Sequence, residues 1–193
     1  MRKRGIECQW PHPDSAISSL GRALSRGDCV KYDGHSELLK AAPKRLNDAR
    51  ELLEQPSRNA HQSDAGYRHL CAAHYLAGYA VECALKVYII LLLDSRAARR
   101  FARWSDAIDY FGTKGQDLRG KRSHSLAQLR VIAELESEMD ADEPMKQAWG
   151  ICSKWDYNVR YRPDFMANRQ SVTQFVEACG TAYDWVSARI PFR

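Results

Sequence analysis

One stretch, HYLAGYAVECALKVYIILLLD at residues 74–94, decides most of what this chain can fold into. Its apolar side chains recur at helical spacing. Tyr67, Leu70, Cys71, His74, Ala77, Gly78, Val81, Leu85, Ile89 and Leu92 build one face in steps of three and four. Leu76, Ala80, Cys83, Val87 and Ile90 build a second. A helix apolar around most of its circumference is stable in water only when other helices surround it. With Asp64 as N-cap and an end near Leu93, roughly thirty residues rising about 1.5 Å each give an element about 45 Å long.

The flanking sequence supplies the surrounding helices. Leu38, Leu39, Ala42, Leu46, Ala49, Leu52 and Leu53 predict a helix over 36–55, with Pro43 either kinking it or marking its first turn. A further helix is expected after Asp94 and before Gly112, followed by a basic, glycine-containing loop, GTKGQDLRGKRS. Ser123 or Ser125 caps a helix carrying Leu126, Leu129, Ile132, Ala133 and Leu135, and Pro144 opens another. After the turn RYRPD, Val172, Phe175, Val176, Cys179, Tyr183 and Val186 outline a last amphipathic helix. No segment alternates with period two for long enough to argue a strand. The expected fold is all-α, a bundle of four to six helices around a long central one, spanning 36–193. Residues 1–35 carry Gly5, Pro11, Pro13, Gly27 and Gly34 and read as an N-terminal arm. Within the arm, Asp14, Ile17, Leu20, Leu24 and Gly27 outline a short helix.

At 193 residues the chain is long enough to bury a core without disulfides or metal. The six cysteines show no C-x2-C pair and sit amid apolar helical sequence, as reduced core residues of a cytosolic protein do. Basic residues at the N-terminus lack an apolar segment behind them, and the most apolar run, 87–93, is short of the ~20 residues a membrane span needs. The expectation is a cytoplasmic protein. Its formal net charge of +5 is unevenly spread. Residues 94–124 hold eight Lys/Arg against four Asp/Glu, whereas 125–152 hold two against six. Such asymmetry points to an acidic partner, or to the two segments facing each other within a fold or a dimer.

The segment AHYLAGYAVECALKVYI (73–89) resembles the signature helix of the HEPN superfamily, helical nucleotide-binding domains of prokaryotes and higher eukaryotes. LLKAAPKRLNDARELLEQ (38–55) is similar to that family's first helix, SHSLAQL (123–129) to its H-x-L helix start, and WDYNVRYRPD (155–164) to its Trp-to-Arg-Tyr segment. The resemblance covers 36 to about 189. It implies a helical bundle that homodimerises, often within toxin–antitoxin, anti-phage or stress modules. Many members are metal-independent RNases using an Arg-x4–6-His motif; others bind or scaffold, commonly beside a nucleotidyltransferase.

In this chain the matching arginine is Arg160, with Arg162 close by, but no histidine follows His124. The usual proton-transfer group is therefore missing from its expected place. Arg119 with His124 has the motif's spacing, and His124 stands at a helix start beside Arg119, Lys121 and Arg122, where a capping or surface role is the ordinary reading. Glu82 and Lys86, at i and i+4 in the most apolar helix, must be paired or reach solvent; the resemblance permits Glu82 to orient Arg160. Arg96, Arg99, Arg100 and Arg103 fall at i, i+3, i+4 and i+7 and therefore share one face of a helix. They then either meet phosphate or are relieved by Glu134, Glu136 or Glu138 of a neighbouring helix. Walker, G-x-G-x-x-G and H-E-x-x-H motifs are absent, and His69 and His74 sit about 140° apart on an ideal helix, so neither a cofactor nor a metal is expected. The functional expectation is a HEPN-like homodimer that binds RNA, a nucleotide or a protein partner, without the usual RNase motif. The alternatives are a metal-independent RNase with a rearranged site of Arg160, Arg162 and His124, and a scaffold partner of a nucleotidyltransferase.

Overall fold

The computed structural model describes residues 34–55, 64–97, 100–161 and 168–190, with 64–68 as backbone alone. All of them lie in one compact unit, Lys31–Arg193. The short helix expected at 14–27, Cys8, Cys29, Arg99 and Arg162 lie outside the described residues. Seven α-helices and two 3₁₀ helices make up the described fold: α1 (His35–Glu54), α2 (Asp64–Arg96), α3 (Trp104–Thr113), η1 (Gly120–His124), α4 (Leu126–Ile132), α5 (Glu136–Ala141), α6 (Glu143–Cys152), η2 (Tyr157–Tyr161) and α7 (Arg169–Ser187). Among the described residues the only extended pairing is one antiparallel bridge, Gly34 to Arg103. The fold is all-α.

The long apolar helix is the centre. Against α2 pack α1, α3, α4, η2 and α7, and α6 packs on α7. Ala77, Val81, Leu85 and Ile89 on one face, and Ala80, Cys83, Val87 and Ile90 on the other, are buried. By length and composition the segment His69–Arg96 also qualifies as a membrane span, with a mean hydropathy of 1.9, but 72% of that window is buried inside the bundle. Its apolarity is thus accounted for by neighbouring helices, a reason different from the shortness of the 87–93 run.

Close approach explains one glycine. A Cβ on Gly78 would overlap Cδ1 of the buried Trp155, so the indole packs directly on the α2 backbone. Side-chain caps set several helix starts. Ser125 Oγ accepts from Gln128 N, Asp142 Oδ1 from Met145 N at 3.0 Å and Asn168 Oδ1 from Ser171 N at 2.8 Å. Asp142 Oδ2 also accepts from Trp185 Nε1 at 2.9 Å, tying α6 to α7. Arg169 donates to the carbonyls of Leu53 and Gln55, satisfying the end of α1 from the start of α7.

Of the two roles open to Pro43 the first turn is excluded: it lies well inside α1, and the bond its missing N–H would have made to Leu39 is forgone. Two sequence expectations need correction. The helix expected straight after Asp94 begins only at Trp104. α2 ends at Arg96, the Phe101 N–H donates to Asp94 Oδ1 at 2.5 Å and His35 N–H donates to the Ala102 carbonyl at 3.2 Å, which ties Phe101 and Ala102 to the ends of α2 and α1. The helix expected through Leu135 stops at Ile132. Leu135 N–H reaches back to the Arg130 carbonyl at 3.2 Å and Glu134 N–H to that of Val131 at 3.0 Å, a Schellman stop with Glu134 in the left-handed region at φ 59°. That break creates α5 and takes the helix count past six.

Candidate functional site

Tyr75, Tyr79, Glu82 and Lys86 stand at i, i+4, i+7 and i+11 of α2, one stripe of the central helix. On this stripe converge the end of η1, which carries His124, and η2, which carries Tyr157, Arg160 and Tyr161.

Glu82 is fully buried. Its Oε1 accepts from Lys86 Nζ at 2.5 Å and meets His124 Nδ1 at 3.0 Å, so one carboxylate oxygen serves both. Oε2 is buried with no hydrogen-bond partner among the described residues. Lys86, itself buried, also lies 5.1 Å from the centroid of the Trp104 ring. Two charges taken this far from water persist only when paired, and here the pair is made within one helix turn. An ionised carboxylate only accepts hydrogen bonds. With Nδ1 donating to Glu82, the Nε2 of a neutral His124 is left as an acceptor.

His124 keeps 39% of its side chain exposed, and its ring stacks on Tyr157 with centroids 4.7 Å apart. In a 3₁₀ helix residues i and i+3 eclipse, so Tyr157 and Arg160 share a side of η2. Arg160 Nη1 donates to the Tyr75 hydroxyl at 2.7 Å. Its guanidinium lies 5.1 Å from the Tyr75 ring and 4.6 Å from that of Tyr161, which is 70% exposed. Tyr75 in turn packs against Tyr79 and Trp155. Burial raises the Tyr75 and Tyr79 phenols above their ordinary range and pushes the Cys83 thiol up to about 12, so all three stay protonated near neutrality. Burial also raises the thiol of Cys179, which sits beside Cys152; Cys83, Cys152 and Cys179 form no disulfide. No group of three metal-ligating side chains occurs among the described residues.

The residues singled out from sequence therefore divide. Glu82, Lys86 and His124 form one hydrogen-bonded cluster, and η2 carries Arg160 alongside it. Glu82 is hydrogen-bonded to His124, whereas Arg160 is hydrogen-bonded to the Tyr75 hydroxyl. Arg96 and Arg103 do not share a helix face, because no helix joins them. Arg96 forks onto both oxygens of Glu134 at 2.5 and 2.9 Å, linking the basic segment to the acidic one. Arg100 is exposed, and Arg103 precedes α3 with its N–H donating to Asp106 Oδ2 at 3.0 Å. Arg119 lies 3.6 Å from Asp109, both exposed, and Arg122 Nη1 donates to the Asp117 carbonyl at 3.2 Å. Tyr75, Tyr157 and Trp104 were not anticipated. For Tyr75 a signal exists, the i, i+4, i+7, i+11 stripe; Tyr157 and Trp104 are brought in by tertiary packing alone.

Comparison with protein-family profiles, with curated proteins and with solved structures finds no match for this chain.

Proposed function

We propose that this chain is a HEPN-like helical protein that binds RNA or a nucleotide at the η1–η2 edge of α2, as a cytoplasmic homodimer. The observation that carries the reading is the exposed guanidinium of Arg160 on η2, flanked by the rings of Tyr75 from α2 and Tyr161 from η2, beside the Tyr157 ring that stacks on His124. A guanidinium fork matches a phosphate, and an exposed aromatic ring offers a platform for an unstacked base. Fluorescence anisotropy with a labelled single-stranded RNA tests it. Arg160→Ala and His124→Ala should each weaken binding of a protein that stays folded. Equal affinity in wild type and both variants contradicts the reading.

A second reading, an RNase with a rearranged site, is favoured by one contact, the Glu82–His124 hydrogen bond. A buried carboxylate that orients an imidazole is how proteins hold a histidine ready for proton transfer. Incubation of the purified protein with labelled RNA in a chelator separates the two. Binding without cleavage supports the first; cleavage that disappears in both Arg160→Ala and His124→Ala supports the second.

A further inference from the structure

Arg160 is held on two sides, and that leaves a defined part of it open to a ligand. Its Nη1 is engaged by the Tyr75 hydroxyl, at 2.7 Å, while the planes of Tyr75 and Tyr161 lie 5.1 and 4.6 Å from the guanidinium carbon. Among the described residues no carboxylate pairs with Arg160. An arginine that only anchored η2 would gain most from a buried acceptor or an acid. This one is exposed and faces a neutral phenol, itself braced by Tyr79 and Trp155. Such bracing removes rotamer freedom from a long side chain before any ligand arrives, and that freedom is a cost otherwise met at binding.

We propose that Tyr75 is the positioning residue of the phosphate grip: its hydroxyl fixes the Arg160 fork so that the unengaged N–H groups meet the two oxygens of a phosphodiester on a flexible single strand, with Tyr161 beside it for the unstacked base. This rests on the binding reading above and adds to it a residue and a ligand geometry. Phosphodiester oxygens accept the paired N–H donors, and the guanidinium, always charged, supplies the counterion. A lysine at 160 keeps the charge but presents no fork, so it does not substitute. A regular duplex keeps its bases stacked and offers nothing to Tyr161, so it binds less well than the single strand.

Anisotropy titrations with a fluorescein-labelled single-stranded RNA, at several salt concentrations, test this in wild type, Tyr75→Phe, Arg160→Ala, Arg160→Lys and the Tyr75→Phe/Arg160→Ala double variant. Tyr75→Phe removes one oxygen and keeps the ring, so the thermal midpoint stays near that of wild type. Affinity is expected to fall roughly three- to tenfold, the scale of one hydrogen bond. The salt slope should not change, because every charge is kept. Tyr75→Phe should add nothing once Arg160 is alanine. Arg160→Lys should lose affinity as Arg160→Ala does but keep a salt slope near that of wild type, because the charge remains and only the fork is gone. If Tyr75→Phe binds as wild type while Arg160→Ala is weakened, the positioning role is overturned and the binding reading stands. An additive loss in the double variant also overturns it. If Arg160→Ala binds as wild type, the binding reading falls and this inference with it.

Discussion

Glu82 and His124, 42 positions apart in the chain, meet at 3.0 Å through the carboxylate oxygen that also takes the Lys86 ammonium. This places an ion pair in the core, and the energetics of such pairs are asymmetric. Removing one partner leaves the other charge buried and uncompensated, at a cost of about 3–5 kcal/mol, while replacing both with apolar groups is often close to neutral. Glu82→Leu and Lys86→Met should each destabilise by about 3 kcal/mol in urea unfolding, and the double variant by clearly less than the sum. Additive losses would show that the two side chains are not energetically paired.

Gly78 and Gly150 make a controlled comparison within helices. Alanine at either is favoured over glycine by up to about 1 kcal/mol from backbone propensity alone. At Gly150 a Cβ meets nothing within 4 Å, so Gly150→Ala should stabilise by about that amount. At Gly78 the new methyl overlaps the Trp155 ring, which must shift, so Gly78→Ala should destabilise by about 1–3 kcal/mol. Chemical denaturation of the two variants checks the contrast; a stabilised Gly78→Ala would mean that Trp155 does not sit on α2.

His74 stacks on Phe175 with ring centroids 3.8 Å apart, and burial lowers its pKa to about 4 from 6.5. Above about pH 6.5 it is neutral in both folded and unfolded chains and stability is unaffected. Between about 6.5 and 4 the unfolded chain binds a proton that the folded one refuses. Stability is therefore lost as pH falls, by about 3 kcal/mol in all. His74→Phe should flatten this part of the profile. The carboxylates of Glu37, Glu134 and Asp142, held low mainly by hydrogen bonds, weaken the fold at more acid pH in both proteins. Urea midpoints at pH 7 and 4.5 decide it; parallel declines in the two proteins would contradict the assignment.

The all-α architecture and the central helix were legible because burial on both faces of α2 requires the two apolar faces that Val81, Leu85 and Ile89, and Ala80, Val87 and Ile90, display. Glu82 and Lys86 were legible as charges that demand partners. Which partners was not, since the His124 contact depends on how η1 folds back over α2, a tertiary event without a local signature. Arginine spacing misled for the opposite reason. Arg96 to Arg103 makes a stripe only if helical, and tertiary bonds from Asp94 to Phe101 and from Ala102 to His35 override local propensity there. Glu134 occupies a left-handed position usually given to glycine, so the end of α4 carried no glycine to announce it.

In the proposed binding mode the phosphate contact is made by Arg160 and not by the arginines between α2 and α3. The salt dependence of single-stranded RNA affinity tests it most directly, because each phosphate that the protein neutralises adds about 0.7 of a unit to the steepness of the log–log slope. Arg160→Ala should lower both affinity and slope, whereas Arg100→Ala/Arg103→Ala should leave both near the wild-type values. The reverse pattern, an unchanged slope in Arg160→Ala and a reduced one in Arg100→Ala/Arg103→Ala, would contradict the account.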